Sequence, residues 1–371
     1  MRILMLGWFA KRENSGGMEV HIRELCKNIS DAEILLIVPK NSNPCISANN
    51  VKILEIPCKT NASTVDKVIK NVSEFNKNIL KALKKSEYSF DIIHSHDWLC
   101  VAAAKELHRK TGKPWVHAVH SLEHIRAGEG TSSEIPQIEK DGINSCSRII
   151  TVSNLMKNEI TKKYKVPKEK VTVVRNYLSI PRHDIYERKN QKEKIILFLG
   201  RLSLQKGVET LISAIPEILG AFSDAKLIIA GEGNLKKSLE KLAEINGVEK
   251  SVQFTGFVDG KKLSGLYGRA SVFVSPSYFE PFGITILDAA EHNVPIIATE
   301  NTGALEVFGK NSRITVPAQN RKELAEKIIA LLSDEKKQKE LALNAKKDLQ
   351  RADDWEKIAG RTRDIYSELL D

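Results

Sequence analysis

Residues 194–207 read KIILFLGRLSLQKG, and this stretch decides the fold. The apolar residues 195–199 run without polar alternation, the pattern of a strand covered on both faces in a parallel sheet. Gly200 and Gly207 then bracket a polar loop, and apolar residues recur at helical spacing over 208–219. Strand, glycine-bounded loop and helix make the first half of a βαβ unit.

Downstream, the same alternation predicts strands at 226–230, 252–254, 272–275 and 295–298, with helices near 236–246, 261–269, 285–292 and 322–333. Upstream, it predicts strands at 2–6, 34–38, 52–56, 92–94, 115–119, 148–152 and 171–175, with helices at 18–29 and 65–84. Residues 181–194, PRHDIYERKNQKEK, have almost no apolar content and read as the linker between the two series. At 371 residues the chain exceeds what one core usually organises. The expectation is an α/β protein of two facing Rossmann-like, doubly wound domains with a cleft between them, and ligands at the carboxyl ends of the strands.

A content of 42% hydrophobic and 28% charged residues is that of an ordinary globular protein and excludes a disordered scaffold. The start, MRILMLGWFAKREN, is too short an apolar run for a signal-peptide core or a membrane span and reads as a first strand. Five cysteines without CxxC spacing argue against a disulfide framework or a structural zinc, so a cytoplasmic location is expected. The net charge of +10 lies entirely in the first half, where residues 1–190 hold 31 Lys/Arg against 21 Asp/Glu, while 191–371 are balanced at 26 and 26. Such asymmetry steers anionic partners, among them a membrane surface or a phosphorylated acceptor. The lysines of 65–85 and 162–170 are the candidate contacts, set against the plainer reading of a solvated surface.

Three loops carry chemistry. Gly16 and Gly17 precede a helix whose free amides could meet an anion, although paired glycines also build simple turns. Arg201 and Lys206 share the strand-to-helix loop of 194–207. Two cations there would stabilise the negative charge that a departing diphosphate gains. Residues 275–291, SPSYFEPFGITILDAAE, present Glu280 on a loop, then Phe282, Gly283 and Ile284 at a helix opening, then Asp288 and Glu291 along the helix. Glu280 at the loop and Asp288 on the helix could hold a sugar and a ribose respectively, with Glu291 able to compensate for Asp288. In the first half His120 ends a strand and precedes a polar loop, which marks it for the site, whereas His94, His96 and His124 read as structural.

These residues resemble glycosyltransferase family four, the retaining two-domain group that includes glycogen and sucrose-phosphate synthases. The similarity runs over the whole chain: GGMEVHIREL, DIIHSHDW, VHAVHSLEHIR, RIITVSN, LFLGRLSLQKG, LIIAGEG, FTGFV, SPSYFEPFGITILDAAE and DDWEKIAGRTRDIY. The resemblance implies a GT-B fold with an acceptor-binding domain at 1–185, a donor-binding domain at 186–352 and a last helix, 353–371, crossing back to the first. It implies that Arg201 and Lys206 bind the donor diphosphate, that Glu280 binds the donor sugar with Phe282, Gly283 and Ile284 beside it, that His120 lies at the reaction centre, and that Gly16 and Gly17 approach the diphosphate or acceptor. It implies that a hexosyl group, with a lean towards glucose, passes from a nucleotide diphosphate sugar to a glycan, phosphosugar or lipid-linked acceptor. No metal, no other cofactor and no nucleic acid are implied, and peripheral membrane association is an expectation of the charge.

Three departures stand out. Asp288 occupies the place of the family's second glutamate, one methylene shorter, with Glu291 a turn further on. Asn14 stands where bacterial glycogen synthases carry a lysine. VVRNYLSI replaces a proline-asparagine-glycine turn and keeps only Asn176. Other readings are a nucleotide-sugar epimerase, a binding protein without turnover, a metal-dependent hydrolase built on His94 and His96, and a basic binding module. The hydrolase lacks further ligands next to its histidines in sequence, and the binding module would need none of the donor-site string.

Overall fold

The computed structural model describes residues 1–9, 16–42, 44–60, 64–86, 88–127, 134–180 and 193–371. Asn14, Ser15 and most of the expected linker, residues 181–192, lie outside these. The chain divides into two units, Met1–Asn176 with Asp353–Asp371, and Tyr177–Ala352. The division falls ahead of the limit expected at 185 because Ser179 is bound to Asp288 of the second unit.

The first unit runs β1 (Arg2–Leu6), α1 (Gly17–Asn28), β2 (Glu33–Pro39), β3 (Val51–Ile56), α2 (Val65–Lys85), β4 (Ile92–His96), α3 (Val101–Thr111), β5 (Trp115–Val119), α4 (Glu123–Ala127), α5 (Glu134–Ser145), β6 (Arg148–Thr151), α6 (Asn154–Tyr164) and β7 (Val171–Val173). Its strands pair in the order β3-β2-β1-β4-β5-β6-β7, all parallel. β1 is an interior strand, with Met5 opposite Leu36 on one side and His94 on the other. Burial on both faces explains why these strands lack polar alternation. Side-chain caps start the helices: the Thr64 hydroxyl accepts from the Lys67 N–H, and the Ser153 hydroxyl accepts from the Met156 N–H.

The second unit runs β8 (Ile195–Leu199), α7 (Val208–Ala221), β9 (Lys226–Ala230), α8 (Lys236–Ile245), β10 (Val252–Gly256), α9 (Gly260–Arg269), β11 (Val272–Ser275), α10 (Ile284–Glu291), β12 (Ile296–Thr299), β13 (Ile314–Val316), α11 (Arg321–Leu332) and α12 (Glu335–Arg351). Its parallel order, β10-β9-β8-β11-β12-β13, repeats that of the first unit. Ile196, Phe198, Leu211, Ile215, Ile229, Val274 and Ile328 join in one buried core. Each such side chain contributes roughly 1.5–3 kcal/mol of burial, so Leu211→Ala would cost about 2–5 kcal/mol. Then α13 (Trp355–Leu370), capped by Asp354, belongs to the first unit.

Helices α3, α4, α5, α6 and α12 and the three-residue strand β13 were not among the predicted elements. β13 is too short to show a period, and α12 alternates polar and apolar residues too loosely. In both sheets the strand order reverses beside the first strand, between β1 and β4 and between β8 and β11. At such a switch point the loops leaving the two strands diverge and open a ligand crevice. The loops after β1, β8 and β11 were singled out from sequence, together with His120 at the end of β5, the neighbour of β4.

Candidate active site

In the second unit the loops after β8 and β11 are tied together. The Tyr278 N–H donates to the Gln205 carbonyl at 2.8 Å, and Gln205 Nε2 donates to the Phe279 carbonyl at 2.8 Å. This pairing carries Lys206 onto Glu280, where ammonium and carboxylate form an ion pair. Ser277 Oγ donates to the same carboxylate at 3.4 Å. The backbone of Glu280 is held on both sides, its N–H by the Asn301 carbonyl and its carbonyl by the Gly303 N–H. Arg201 is exposed in the same loop and makes no ion pair among the described residues. An exposed cation thus stands in one loop with a partly buried ion pair.

Gly207 is required by this geometry. Its φ is +62°, and a Cβ there would lie 2.1 Å from the Pro276 carbonyl oxygen. Gly283, at φ +98°, opens α10 and faces the Glu280 side chain, where a Cβ would come within 3.0 Å of Cγ. Phe282 and Ile284 are buried on either side of it.

Asp288, expected on the ribose, is enclosed by the chain itself. Its side chain is 0% exposed, and its two oxygens accept the Ser179 N–H at 2.9 Å and the Ser179 hydroxyl. Burial pushes its pKa up to about 6, opposed by those bonds. The shorter side chain keeps the carboxylate on the helix flank, within reach of the incoming chain. One turn on, Glu291 is buried, and its Oε2 has no hydrogen-bond partner among the described residues.

In the first unit β4 and β5 bring four imidazoles together with one from α1. His120 is 9% exposed; its Nε2 lies 3.1 Å from His96 Nδ1, and its backbone N–H donates to Asp97 Oδ1 at 2.8 Å. Asp97 holds this position at φ +50°, a backbone conformation that costs energy in a non-glycine residue. Burial lowers the pKa of His120 to about 3, of His117 to about 4, and of His94 and His96 well below the ordinary value, so all four rings are neutral at physiological pH. His117 is bonded to Ser95, and His124 pairs with Glu159 on α6, both structural contacts. His96 touches His120 directly, which its reading as a purely structural residue did not foresee. At the start of α1 the Gly16 N–H already donates to Glu19 Oε2 at 2.8 Å, so this amide is satisfied within the helix. Gly17 is exposed beside it.

One ring nitrogen each of His21, His96 and His120 lie within 4.8 Å of one another. A zinc ion bound at ~2.0–2.1 Å would set tetrahedral ligands ~3.4 Å apart. His96 and His120 are already hydrogen-bonded to each other, so the set is a packed imidazole cluster whose atoms would have to draw together to hold an ion.

Residues 15–179 match the family described as Glycosyltransferase Family 4, and residues 180–348 match that described as Glycosyl transferases group 1. An uncharacterised glycosyltransferase of Methanocaldococcus jannaschii is 31% identical over 99% of this chain and 98% of its own. The chain belongs to glycosyltransferase family 4. This family-four enzyme is also 26% identical to a glycogen synthase of Mycobacterium tuberculosis, over 99% of this chain and 94% of that one. Its fold matches that of the Anabaena protein HepE solved in complex with UDP-glucose, with a TM-score of 0.75, 17% identity, and coverage of 99% of this chain and 100% of the other. The two-domain GT-B architecture expected from sequence is therefore the one present. No described helix of the glycosyltransferase is long and apolar enough to cross a membrane.

Gln205, Ser277, Ser179 and His21 were missed as site residues. Gln205 and Ser277 lay inside the quoted strings, but only the pairing of two loops distant in sequence gives them partners.

Proposed function

We propose that this glycosyltransferase moves a hexosyl group, glucose in the first instance, from a nucleotide diphosphate sugar to a glycan, phosphosugar or lipid-linked acceptor, with retention of anomeric configuration and without a metal ion. The observation that carries this is the Lys206–Glu280 pair beside the exposed Arg201. An ammonium has three donors, so one on Glu280 leaves two for phosphate oxygens. Glu280 is an acceptor held rigid by Ser277 and by its own backbone bonds, suited to orienting sugar hydroxyls. As the sugar bond breaks, the diphosphate gains charge, and fixed cations near it lower the barrier. His120, neutral through burial, is the residue the first unit contributes to the reaction.

The enclosure of Asp288 supports Glu291 as the carboxylate that reads the ribose, with Asp288 anchoring Ser179. The UDP-glucose complex of the Anabaena protein supports a nucleotide-sugar donor, and the excess positive charge of the first half supports an anionic acceptor. A thermal-shift screen over UDP-, ADP- and GDP-sugars tests the reading, because a ligand that binds only the folded state raises stability by mass action. A shift with one nucleotide sugar, followed by transfer with retained configuration in product NMR, is the expected result. No shift with any of them, or epimerised donor as the only product, overturns it.

A further inference from the structure

The chain leaves the first unit after Asn176 and returns to it at Asp353, and both passages meet one side chain. His21, buried on α1, donates from Nδ1 to Asn176 Oδ1 at 2.7 Å, since an amide oxygen only accepts. The same ring stands edge-on to Trp355, which opens α13 just after the return, with centroids 6.0 Å apart at 73°. It also stands edge-on to His120, with centroids 4.9 Å apart at 67°. A second route joins α13 to the same place: the Tyr366 hydroxyl bonds His94 Nδ1 at 2.5 Å, His94 packs on His96 at 4.3 Å, and His96 is paired with His120.

A core filler has no need of this arrangement. An imidazole sealed from water pays for its desolvation, and an apolar side chain of similar volume would pack without that cost. The bond to Asn176 spans 155 residues and fixes which nitrogen carries the hydrogen. That leaves Nε2 as a bare lone pair with no partner among the described residues. A ring held in one tautomer against a second ring biases the tautomer and orientation of its neighbour.

We propose that His21 is a positioning residue that ties Asn176 and Trp355, at the two chain passages, to the ring of His120 and so sets the tautomer and orientation in which His120 meets the substrate. This rests on the reading of His120 as the reaction-centre histidine. His21 itself need not touch the donor or the acceptor. Its effect passes through His120, so removing the anchor at Asn176 and removing His120 should not be additive.

The test is the imidazole 15N spectrum of the full chain labelled at histidine, with His120 assigned by its disappearance in His120→Gln. Asn176→Ala removes the anchor of His21 without touching His120. The expected result is a shift of the His120 nitrogen signals towards the other tautomer in a protein that melts like the wild type. With the nucleotide sugar that the shift screen selects, kcat should fall about tenfold to a hundredfold while donor KM is held, as a small misplacement of a reacting group does. His21→Gln, whose amide can still donate to Asn176, should lose less turnover than Asn176→Ala. Unmoved His120 nitrogens in Asn176→Ala overturn the proposal. Should that variant fail to fold, the same null result in Trp355→Phe overturns it equally. Full turnover by His120→Ala overturns the reading of His120 instead, and the spectrum, which needs no substrate, tells the two failures apart.

Discussion

Both carboxylate oxygens of Asp288 are taken by Ser179, the backbone N–H on Oδ1 at 2.9 Å and the hydroxyl on Oδ2. In the fold the residue expected on the ribose clamps the first residues of the second unit. Its burial has a cost, and the cost sets a pH dependence.

The pKa of Asp288 rises from the ordinary 3.8 to about 6, so the folded protein binds this proton more tightly than the unfolded chain. Stability from the group is complete below the ordinary value and is lost as pH rises through the raised one. Asp288→Asn keeps a neutral acceptor for the Ser179 N–H and removes the titration. Relative to that variant, the wild type should lose about 2–3 kcal/mol between about pH 4 and about pH 7, measured by urea unfolding across pH. A difference that stays constant over the range would show that Asp288 titrates normally.

The ribose assignment separates by kinetics. Glu291→Ala should raise donor KM with kcat nearly held, the pattern of lost uniform binding, whereas Asp288→Asn should leave donor KM unchanged. The reverse outcome would return the ribose to Asp288.

Arg201→Ala and Lys206→Ala should each cost about 3–4 kcal/mol of transition-state stabilisation, by analogy with single oxyanion donors, and the double variant should be inactive. Lys206→Ala also strips Glu280 of its partner. Wild-type turnover should survive excess chelator. Turnover abolished by chelator and restored by magnesium or zinc would mean that a metal, not these side chains, carries the leaving-group charge.

Gly207→Ala forces a Cβ to within 2.1 Å of the Pro276 carbonyl at φ +62°. The left-handed conformation alone costs about 1–2 kcal/mol, and relieving the contact must push the two loops apart. A lower melting temperature should accompany a weaker donor-induced shift, because Lys206 moves with its neighbour. A variant that melts and binds donor like the wild type would mean that the loops are not held at this contact.

The basic half can be tested directly. Lys67, Lys70, Lys77, Lys81, Lys84 and Lys85 of α2, and Lys162, Lys163, Lys165 and Lys168, are all exposed, while Val72, Phe75, Ile79 and Leu83 bury the opposite stripe of α2. If this charge recognises an anionic surface, anionic liposomes should pellet the protein at low salt and release it at high salt, since exposed charges are screened over about 8 Å at physiological ionic strength. Neutral liposomes should pellet none. Equal, negligible pelleting in every condition, with full activity on a neutral glucan, would make the charge only a solvated surface.

Much of the fold was legible because burial on both faces writes a parallel strand as an unbroken apolar run, as in residues 195–199 and 272–275. The loops that matter were legible because glycines and charged residues cluster where strands end, as at Arg201–Gly207 and Glu280–Gly283. Short or weakly periodic elements such as β13 and α12 carry too few residues for a pattern to rise above composition.

The sequence by itself therefore determined the two parallel sheets, the loops proposed to bear the chemistry and the membership of the family, since each rests on residues adjacent along the chain. Only the tertiary structure decided that Lys206 meets Glu280, that Ser179 bonds Asp288, and that His21, Asn176 and Trp355 converge beside His120. Those partners stand tens to hundreds of residues apart. Which polar atom satisfies which is fixed by the packing of whole elements, because a buried group bonds whatever the fold places beside it and no local pattern of residue types encodes that choice.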